Sequence, residues 1–406
     1  MAQPLRSAAL VLLALLIVHP ARAQEAPPPA AAEDPRAQYP TLLANGFFSV
    51  NVGHISYPFS SRQLEPGFSA ASINIPHVTL RLVLFGHQFN KYLSAQATYM
   101  RPVRYVSYRN VNGETGGHHV WMHFGGVTLK PQLPITPRVS LFGEAGLGMT
   151  SRHGFEVGST PVVRDANFGS AVLGAGVEYH VTDNWDLTAG VTYLKGSRAD
   201  NQPRTLFSSG GFRYNVRPLP PELVAANRDV GYRFPRQLLQ LEYTTGVGYG
   251  FNTFVSRKVP VFWGGNVKVD RGLAVHYDRN VFHTRKIFSL DVGTSASYWR
   301  SRDERQKFST LSIYPLLRFT LLRTAPADVS FLYSLAGPTF ISQQLLDGRA
   351  TGRRFTFQDF MGVGLFLGPQ RRLAAGLKIN HYSNGNIFTQ NAGVKVPLTV
   401  TLGYSF

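Results

Sequence analysis

Two residues near the C-terminus, His381 and Ser383, could supply the base and the nucleophile of a hydrolytic reaction. In an extended strand, residues two apart lie on the same face, with Cα atoms about 7 Å from each other. Ester hydrolysis needs a nucleophile, a base within hydrogen-bond reach and donors for the oxyanion. The pair therefore indicates either a serine hydrolase site or a polar strand end that runs into an Asn384-Gly385 turn.

The strand that carries this pair alternates apolar residues with small or polar ones. The face shared with His381 holds the row Leu373, Ala375, Leu377 and Ile379. The last stretch of the chain, 398–406, alternates in the same way and ends at Phe406. A hairpin that is apolar outside and polar inside, with an aromatic C-terminal residue, is typical of the end of a transmembrane β-barrel.

The local motif adds a family resemblance. His381-Tyr382-Ser383-Asn384-Gly385, followed by Asn391-Ala392-Gly393 and the terminal aromatic strand, resembles the outer-membrane lipid A deacylases, the PagL-like 3-O-deacylase or acyloxyacyl hydrolase-like family. In that family an eight-stranded barrel carries a serine hydrolase site on its lipid-facing surface. The resemblance covers 238–406. It implies Ser383 as nucleophile, His381 as base and Asn384, Gly385 and Asn391 as oxyanion or supporting residues, with no cofactor and no metal.

The acid of the family's triad is missing from its usual place. The second residue after the Asn-x-Gly element is Lys395 instead of glutamate, and no acidic residue follows Asp359. Asp359 interrupts the apolar row of the preceding predicted strand, and a tight turn at 369–371 would pair it with His381. We therefore expect Asp359 to orient His381. The alternatives are a Ser-His dyad, a rim carboxylate beside an arginine, and lost activity.

The N-terminus predicts export. Arg6 precedes an apolar run, and Ala21-Arg22-Ala23 is a small-x-small cleavage site, so 1–23 reads as a signal peptide. The stretch 24–44 is rich in proline and alanine and predicts a disordered lead-in. Removal of Arg6 and Arg22 with the signal leaves 39 basic against 23 acidic residues, a formal +16. For an exported protein this charge favours phosphorylated lipid A and anionic head groups over nucleic acid as partners.

The architecture predicted from the alternation is all-β. The stretch 45–216 supplies eight candidate strands with a pattern similar to small OmpA-like outer-membrane barrels, and 238–406 supplies eight more. The stretch 217–237 contains four prolines and predicts a linker. We expect two eight-stranded antiparallel barrels in tandem, with a single sixteen-stranded barrel as the alternative. His118, His119 and His123 in the first half are expected to be rim residues rather than metal ligands.

These observations lead to one functional prediction and one alternative. The first is an outer-membrane hydrolase that removes an ester-linked acyl chain from lipid A of lipopolysaccharide in the outer leaflet. The alternative is a catalytically inactive barrel of the same fold with a structural or lipid-binding role, as Lys395 suggests. Transport through a pore is disfavoured, because side chains fill the interior of eight-stranded barrels. The acyl position, the oligomeric state and the role of the first half stay open.

Overall fold

The computed structural model describes residues 34–229, 233–258 and 264–406. The predicted signal peptide, 1–23, lies outside the described residues, as does the stretch 24–33. The chain folds into two closed antiparallel barrels in tandem, each of eight strands. The prediction of two barrels, rather than one of sixteen strands, is confirmed.

The N-terminal barrel contains the first twelve strands of the chain: β1 (Gly46–Ser56), β2 (Ala70–Asn74), β3 (Val78–Asn90), β4 (Leu93–Pro102), β5 (Val106–Val111), β6 (Glu114–Pro134), β7 (Val139–His153), β8 (Phe155–Val157), β9 (Thr160–Val163), β10 (Ala166–His180), β11 (Trp185–Leu194) and β12 (Thr205–Asn215). Pairing of β6 with β7 closes the eight-stranded ring. The short strands β2 and β5 extend the sheet beyond the ring at β6, and β8 pairs with β9 as a separate hairpin. The ring uses the eight strands that the alternation predicts.

The C-terminal barrel contains the remaining ten strands: β13 (Gln237–Thr244), β14 (Val267–His283), β15 (Phe288–Ser301), β16 (Lys307–Arg323), β17 (Ala327–Ile341), β18 (Leu345–Leu346), β19 (Arg349–Ala350), β20 (Phe355–Leu367), β21 (Leu373–Ser383) and β22 (Val394–Ser405). Pairing of β13 with both β14 and β22 closes the ring, and β18 and β19 form a small separate hairpin. Bulges interrupt β17 and the pairing of β21 with β22.

Both barrels are apolar outside and polar inside, as a lipid-facing barrel must be. On β13, for example, Leu239 and Leu241 are half exposed whereas Gln240 and Glu242 are buried. The buried charge of Glu242 is compensated inside the barrel by Lys378, at 3.0 Å, and by His276, at 2.8 Å. Such pairing offsets the cost of removing a carboxylate from water. The interior is therefore a packed polar network.

Two sequence expectations are corrected. Residues 34–44 do not form the predicted disordered lead-in, because a 3₁₀ helix (Pro35–Ala37) and the short helix α1 (Thr41–Ala44) fold there. Ala37 is fully buried, and its carbonyl accepts a hydrogen bond from Asn227. Asn227 belongs to α2 (Pro221–Arg228), a helix within the predicted linker.

The second correction concerns the first strand of the C-terminal barrel. The alternation that begins at Leu239 predicts a strand as far as Gly250, but β13 ends at Thr244 and is followed by the helix α3 (Tyr249–Lys258). Gly246 and Gly248 have positive φ and let the chain leave the sheet. None of the helices in the described part of the chain is long and apolar enough to cross a membrane.

Candidate active site

The site begins with a bulge in β17. The pairing of β17 with β20 shifts between Ser334 and Gly337, and Ala336 adopts a φ of +53°. A left-handed conformation costs an alanine roughly 1–2 kcal/mol. In exchange, the backbone N–H of Ala336 leaves the regular ladder and donates to Oδ1 of Asp359, at 2.6 Å. Bulges often serve to re-aim groups beside functional sites, and this one fixes a buried carboxylate.

Asp359 lies directly opposite His381 in the pairing of β20 with β21. Its second oxygen, Oδ2, is 3.3 Å from Nδ1 of His381. The two side chains are 3% and 1% exposed, although both belong to the outward, lipid-facing row of their strands. The juxtaposition predicted from the hairpin is confirmed. It makes Nδ1 the nitrogen that faces the acid and Nε2 the one directed elsewhere.

On its other side, the His381 ring lies against the last residue of the Asn-x-Gly element. A Cβ atom on Gly393 would be 3.4 Å from Nε2 of His381 and 3.2 Å from Cα of Gly265. Gly393 also has a φ of +58°. Only glycine combines that conformation with so little space, so the Asn-x-Gly element makes room for the ring.

Ser383 ends β21 on the face of His381 and is partly exposed. Between them, Tyr382 points into the barrel and is buried. Its hydroxyl accepts hydrogen bonds from Trp299 at 3.2 Å and from Gln358 at 3.3 Å, which anchors the strand from the inside. Among the described residues no hydrogen bond joins Ser383 to His381. Catalysis therefore requires the Ser383 hydroxyl to come within hydrogen-bond reach of the ring.

The loop after Ser383, which we call the site loop (384–393), is held by its asparagines. The backbone N–H of Asn384 donates to Oδ1 of Asn391 at 2.9 Å, and its side-chain amide donates to the carbonyls of Gln390 at 2.6 Å and Thr351 at 3.1 Å. Gly385 and Asn386 both have positive φ, which confirms the predicted turn. Because the N–H groups of Asn384 are all engaged, it supports the loop; donation to an oxyanion would require exchange of one of these bonds.

Lys395, at the family's acid position, lies opposite His381 on the strand across from Asp359. It is 8% exposed, and its Nζ donates to Oγ1 of Thr253 on α3 at 3.4 Å. His381 is therefore flanked in register by a carboxylate on β20 and an ammonium group on β22. The histidine keeps an acidic neighbour, but on the opposite side from the one that the resemblance implies.

The helix α3 packs on the outer face of the barrel next to these buried charges. Val255 packs on Met361 and Ile379. These two residues pair with each other on the outer face of β20 and β21, next to the pair of Asp359 and His381. Asn252 is fully buried and donates to the carbonyl of Val396 at 2.8 Å. The opposite side of the helix exposes Phe251 and Phe254, at 56% and 60%. The helix thus covers the outer face beside the acid and the base and exposes its phenylalanines on the other side.

Two hydrogen bonds hold the N-terminal end of α3, one from the hydroxyl of Tyr249 and one at the bulge in β22. The hydroxyl of Tyr249 donates to the carbonyl of Val269, and burial raises the pKa of this phenol. At the bulge in β22, the N–H of Leu398 donates to the carbonyl of Val247 instead of to β21. A Cβ on Gly248 would come within 2.6 Å of Leu398 Cβ, so the close approach needs glycine.

Sequence reasoning missed α3, the β17 bulge and the contacts of the site loop. The helix has a signal in the sequence, because Phe251, Phe254, Val255 and Lys258 recur at helical spacing between glycines. The bulge has no signal in the sequence, because Leu335 and Ala336 continue the alternation of outward and inward residues along β17. Within the described residues no cluster of His, Asp or Glu could hold a metal ion.

The fold and the site together define the class. Two closed barrels with apolar outer faces and polar interiors are outer-membrane-type β-barrels, and the second carries a buried acid–histidine pair beside a serine. Comparison of the sequence with known protein families finds one match for each barrel. Residues 271–405 match the family lipid A 3-O-deacylase (PagL), and residues 42–215 match the outer membrane protein beta-barrel domain. The C-terminal barrel is therefore similar to the lipid A 3-O-deacylase (PagL) family, and the N-terminal barrel is similar to the outer membrane protein beta-barrel domain.

Solved structures similar to this chain each align with about two fifths of it. The outer membrane enzyme PagL is 16% identical, with 42% of this chain and 98% of that chain covered and a TM-score of 0.27. Neisserial surface protein A is 18% identical over 42% of this chain and 97% of its own, with a TM-score of 0.28. The N-terminal barrel of Pseudomonas aeruginosa OprF is 13% identical over 42% and 97%, with a TM-score of 0.26. No curated protein matches the chain.

Proposed function

We propose that the C-terminal barrel is an outer-membrane hydrolase that removes an ester-linked acyl chain from lipid A. The observation that carries the proposal is the contact of Asp359 with Nδ1 of His381, two residues from Ser383, within a PagL-like domain. A buried carboxylate on one ring nitrogen holds the imidazole in the tautomer whose other nitrogen is basic. That nitrogen, Nε2, is the proton acceptor for Ser383.

The reaction follows ordinary acyl transfer. Oγ of Ser383 attacks the ester carbonyl while Nε2 of His381 takes its proton, and Asp359 stabilises the imidazolium that forms. Collapse of the tetrahedral intermediate expels the sugar alcohol, which takes the proton from His381. Water, activated by the same histidine, then hydrolyses the acyl-serine and releases the fatty acid. Donors for the oxyanion come from the turn at Asn384-Gly385, where Asn384 must exchange one of its present hydrogen bonds in order to donate.

The location of the site suits a substrate embedded in lipid. The acid and the base lie on the outward face of the barrel, beside the residues on which α3 packs, and the partly exposed Ser383 lies at the end of β21. An acyl ester of the outer leaflet can reach such a serine from the side without leaving the membrane. The exposed phenylalanines of α3 give the acyl chains an apolar surface close to the site.

A second candidate function is a non-catalytic barrel of the same fold with a structural or lipid-binding role. The observation in its favour is Lys395, which places a positive charge opposite His381 where the family resemblance implies glutamate. A nearby cation disfavours formation of the imidazolium. In this candidate, Asp359 and Lys395 are a charge-balanced pair under α3 without a chemical role.

The two candidates are separated by mass spectrometry of lipid A from cells that express the full chain. We expect loss of one acyl chain with the native protein, and no loss with Ser383→Ala or His381→Ala. Ser208→Ala is the control, because it makes the same serine-to-alanine change at an exposed position of β12 in the N-terminal barrel, outside the proposed machinery. Intact lipid A with the native protein, folded in the outer membrane, would favour the non-catalytic barrel. Acyl loss with Ser383→Ala would remove the serine from the mechanism.

A further inference from the structure

A cavity of about 810 Å³ lies between the outer ends of the two barrels. The N-terminal barrel contributes aromatic and imidazole side chains from β6 and β7, and the C-terminal barrel contributes the site loop. Its principal lining residues are His119, Trp121, His123, Asn386, Gln390 and Asn391. The size is that of a small-molecule site, whereas the interior of each barrel is filled by side chains.

The two walls of this cavity are joined by direct hydrogen bonds. The carbonyl of Ile387, in the site loop, accepts from the hydroxyl of Ser151 and, at 2.8 Å, from Nδ2 of Asn167. Ser151 is on β7 and Asn167 on β10, so the N-terminal barrel holds the site loop of its neighbour. The cavity is also linked to the proposed nucleophile, because Asn391 lines it and accepts a hydrogen bond from the N–H of Asn384, the residue after Ser383.

The lining combines an aromatic face with planar hydrogen-bonding groups. Trp121 is 44% exposed and stacks on Tyr105 with ring centroids 4.8 Å apart, which fixes its plane. The amides of Asn386, Gln390 and Asn391 each offer both donors and acceptors. An aromatic face for C–H surface beside amide and imidazole groups for hydroxyls is the chemistry that recognises a saccharide.

His123 supplies an independent observation. It is 5% exposed, and its Nδ1 is 2.5 Å from the hydroxyl of Tyr99. Its Nε2 has no hydrogen-bond partner among the described residues, although the ring lines the cavity. An unsatisfied buried polar atom is destabilising, and a ligand hydroxyl that bonds to it removes that cost.

We infer that the cavity binds the saccharide head group of the glycolipid whose acyl ester is presented to Ser383, so that the N-terminal barrel is part of the substrate site. The inference rests on the proposed function, since it assigns the head group and the ester to one molecule. It gives the N-terminal barrel a role in substrate choice: a lipid with the same acyl chains but no sugar leaves the cavity unused.

The test measures binding rather than turnover, so that it is separate from the proposed chemistry. Full-length Ser383→Ala protein in detergent is titrated with purified lipid A and, in parallel, with a phospholipid of matched acyl length. Trp121→Ala in this background should raise the Kd for lipid A about tenfold, an effect of about 1.4 kcal/mol, and leave the Kd for the phospholipid unchanged. Gln390→Ala should act in the same direction, by a few-fold, through loss of amide hydrogen bonds.

Trp185→Ala is the matched control. Trp185 belongs to the same barrel and is 48% exposed, but it packs on Tyr214 away from the cavity. We expect it to leave both affinities unchanged. Unchanged lipid A binding in both Trp121→Ala and Gln390→Ala would overturn the inference, as would equal weakening of lipid A and phospholipid. If the native protein lacks deacylase activity but Trp121→Ala still weakens lipid A binding selectively, the proposed reaction fails and the head-group site stands.

Discussion

Asp359→Asn is the substitution that most directly addresses the unusual acid of this chain. It keeps the size of the side chain, and an asparagine oxygen can still accept the hydrogen bond from Ala336 that Oδ1 of Asp359 accepts at 2.6 Å. With that oxygen fixed, the amide NH₂ faces Nδ1 of His381. An NH₂ donor requires Nδ1 to be the acceptor, and the ring proton moves to Nε2. The nitrogen that must take the proton of Ser383 then already carries one.

The expected loss is large because the contact is buried. In the comparable Asp→Asn change of a serine protease triad, the wrong tautomer lowers kcat about 10⁴-fold. Here the carboxylate is 3% exposed, so water does not substitute for it, but the 3.3 Å contact is at the long end of hydrogen-bond distances. We therefore expect deacylation to fall by roughly 10²- to 10⁴-fold. Lys395→Ala should change the rate far less.

The assay is single-turnover release of fatty acid from lipid A by purified, refolded protein. Heat-modifiable migration in detergent gels reports the folded barrel for each variant. A rate for Asp359→Asn within about threefold of the native rate would refute the orienting role and favour a Ser-His dyad.

The remaining predictions concern the space around His381 and the helix above it. Gly393→Ala should lower the rate more than Gly385→Ala, because both glycines have positive φ but only the Cβ at position 393 would meet the ring of His381, at 3.4 Å; equal rates at equal thermal stability would contradict this reading. Val255→Ala should speed amide hydrogen exchange across α3 several-fold, through loss of buried contact with Met361 and Ile379, whereas Phe254→Ala, at a 60% exposed position, should not.

The barrels themselves were predictable from a period of two. Each of the sixteen ring strands carries an apolar outer row, and a one-residue slip would reverse its faces, so the pattern fixes both strand and orientation. The pairing of Asp359 with His381 was also predictable, because the short turn between β20 and β21 sets the register without a bulge. In a hairpin without a bulge, the length of the turn determines which residues of the two strands lie opposite each other.

The unpredicted features depend on departures from that regularity or on distant parts of the chain. The N–H that anchors Asp359 comes from a bulge in β17, and the N–H that anchors α3 comes from a bulge in β22. The alternation predicts strands as far as Gly250 and again from Val259, and it gives no indication of a helix between them. The contacts of Ile387 with Ser151 and Asn167 join residues more than two hundred positions apart, and no local pattern records them.

The position of the acid bears on how the site can tolerate Lys395. A histidine in the middle of a sheet has one neighbour in register on each side, here Asp359 and Lys395, and its two ring nitrogens can address the two sides separately. With the acid on β20, Nδ1 is oriented from that side and Nε2 is directed toward Gly393 and the site loop. A carboxylate at position 395 on β22, where the family resemblance implies glutamate, is then not needed to orient the ring of His381. Nζ of Lys395 instead donates a hydrogen bond to Thr253 and so connects α3 to β22. The ammonium group of Lys395, which would disfavour the imidazolium, is thus hydrogen-bonded to α3. The carboxylate of Asp359, which favours the imidazolium, is hydrogen-bonded to the backbone of Ala336 beside His381.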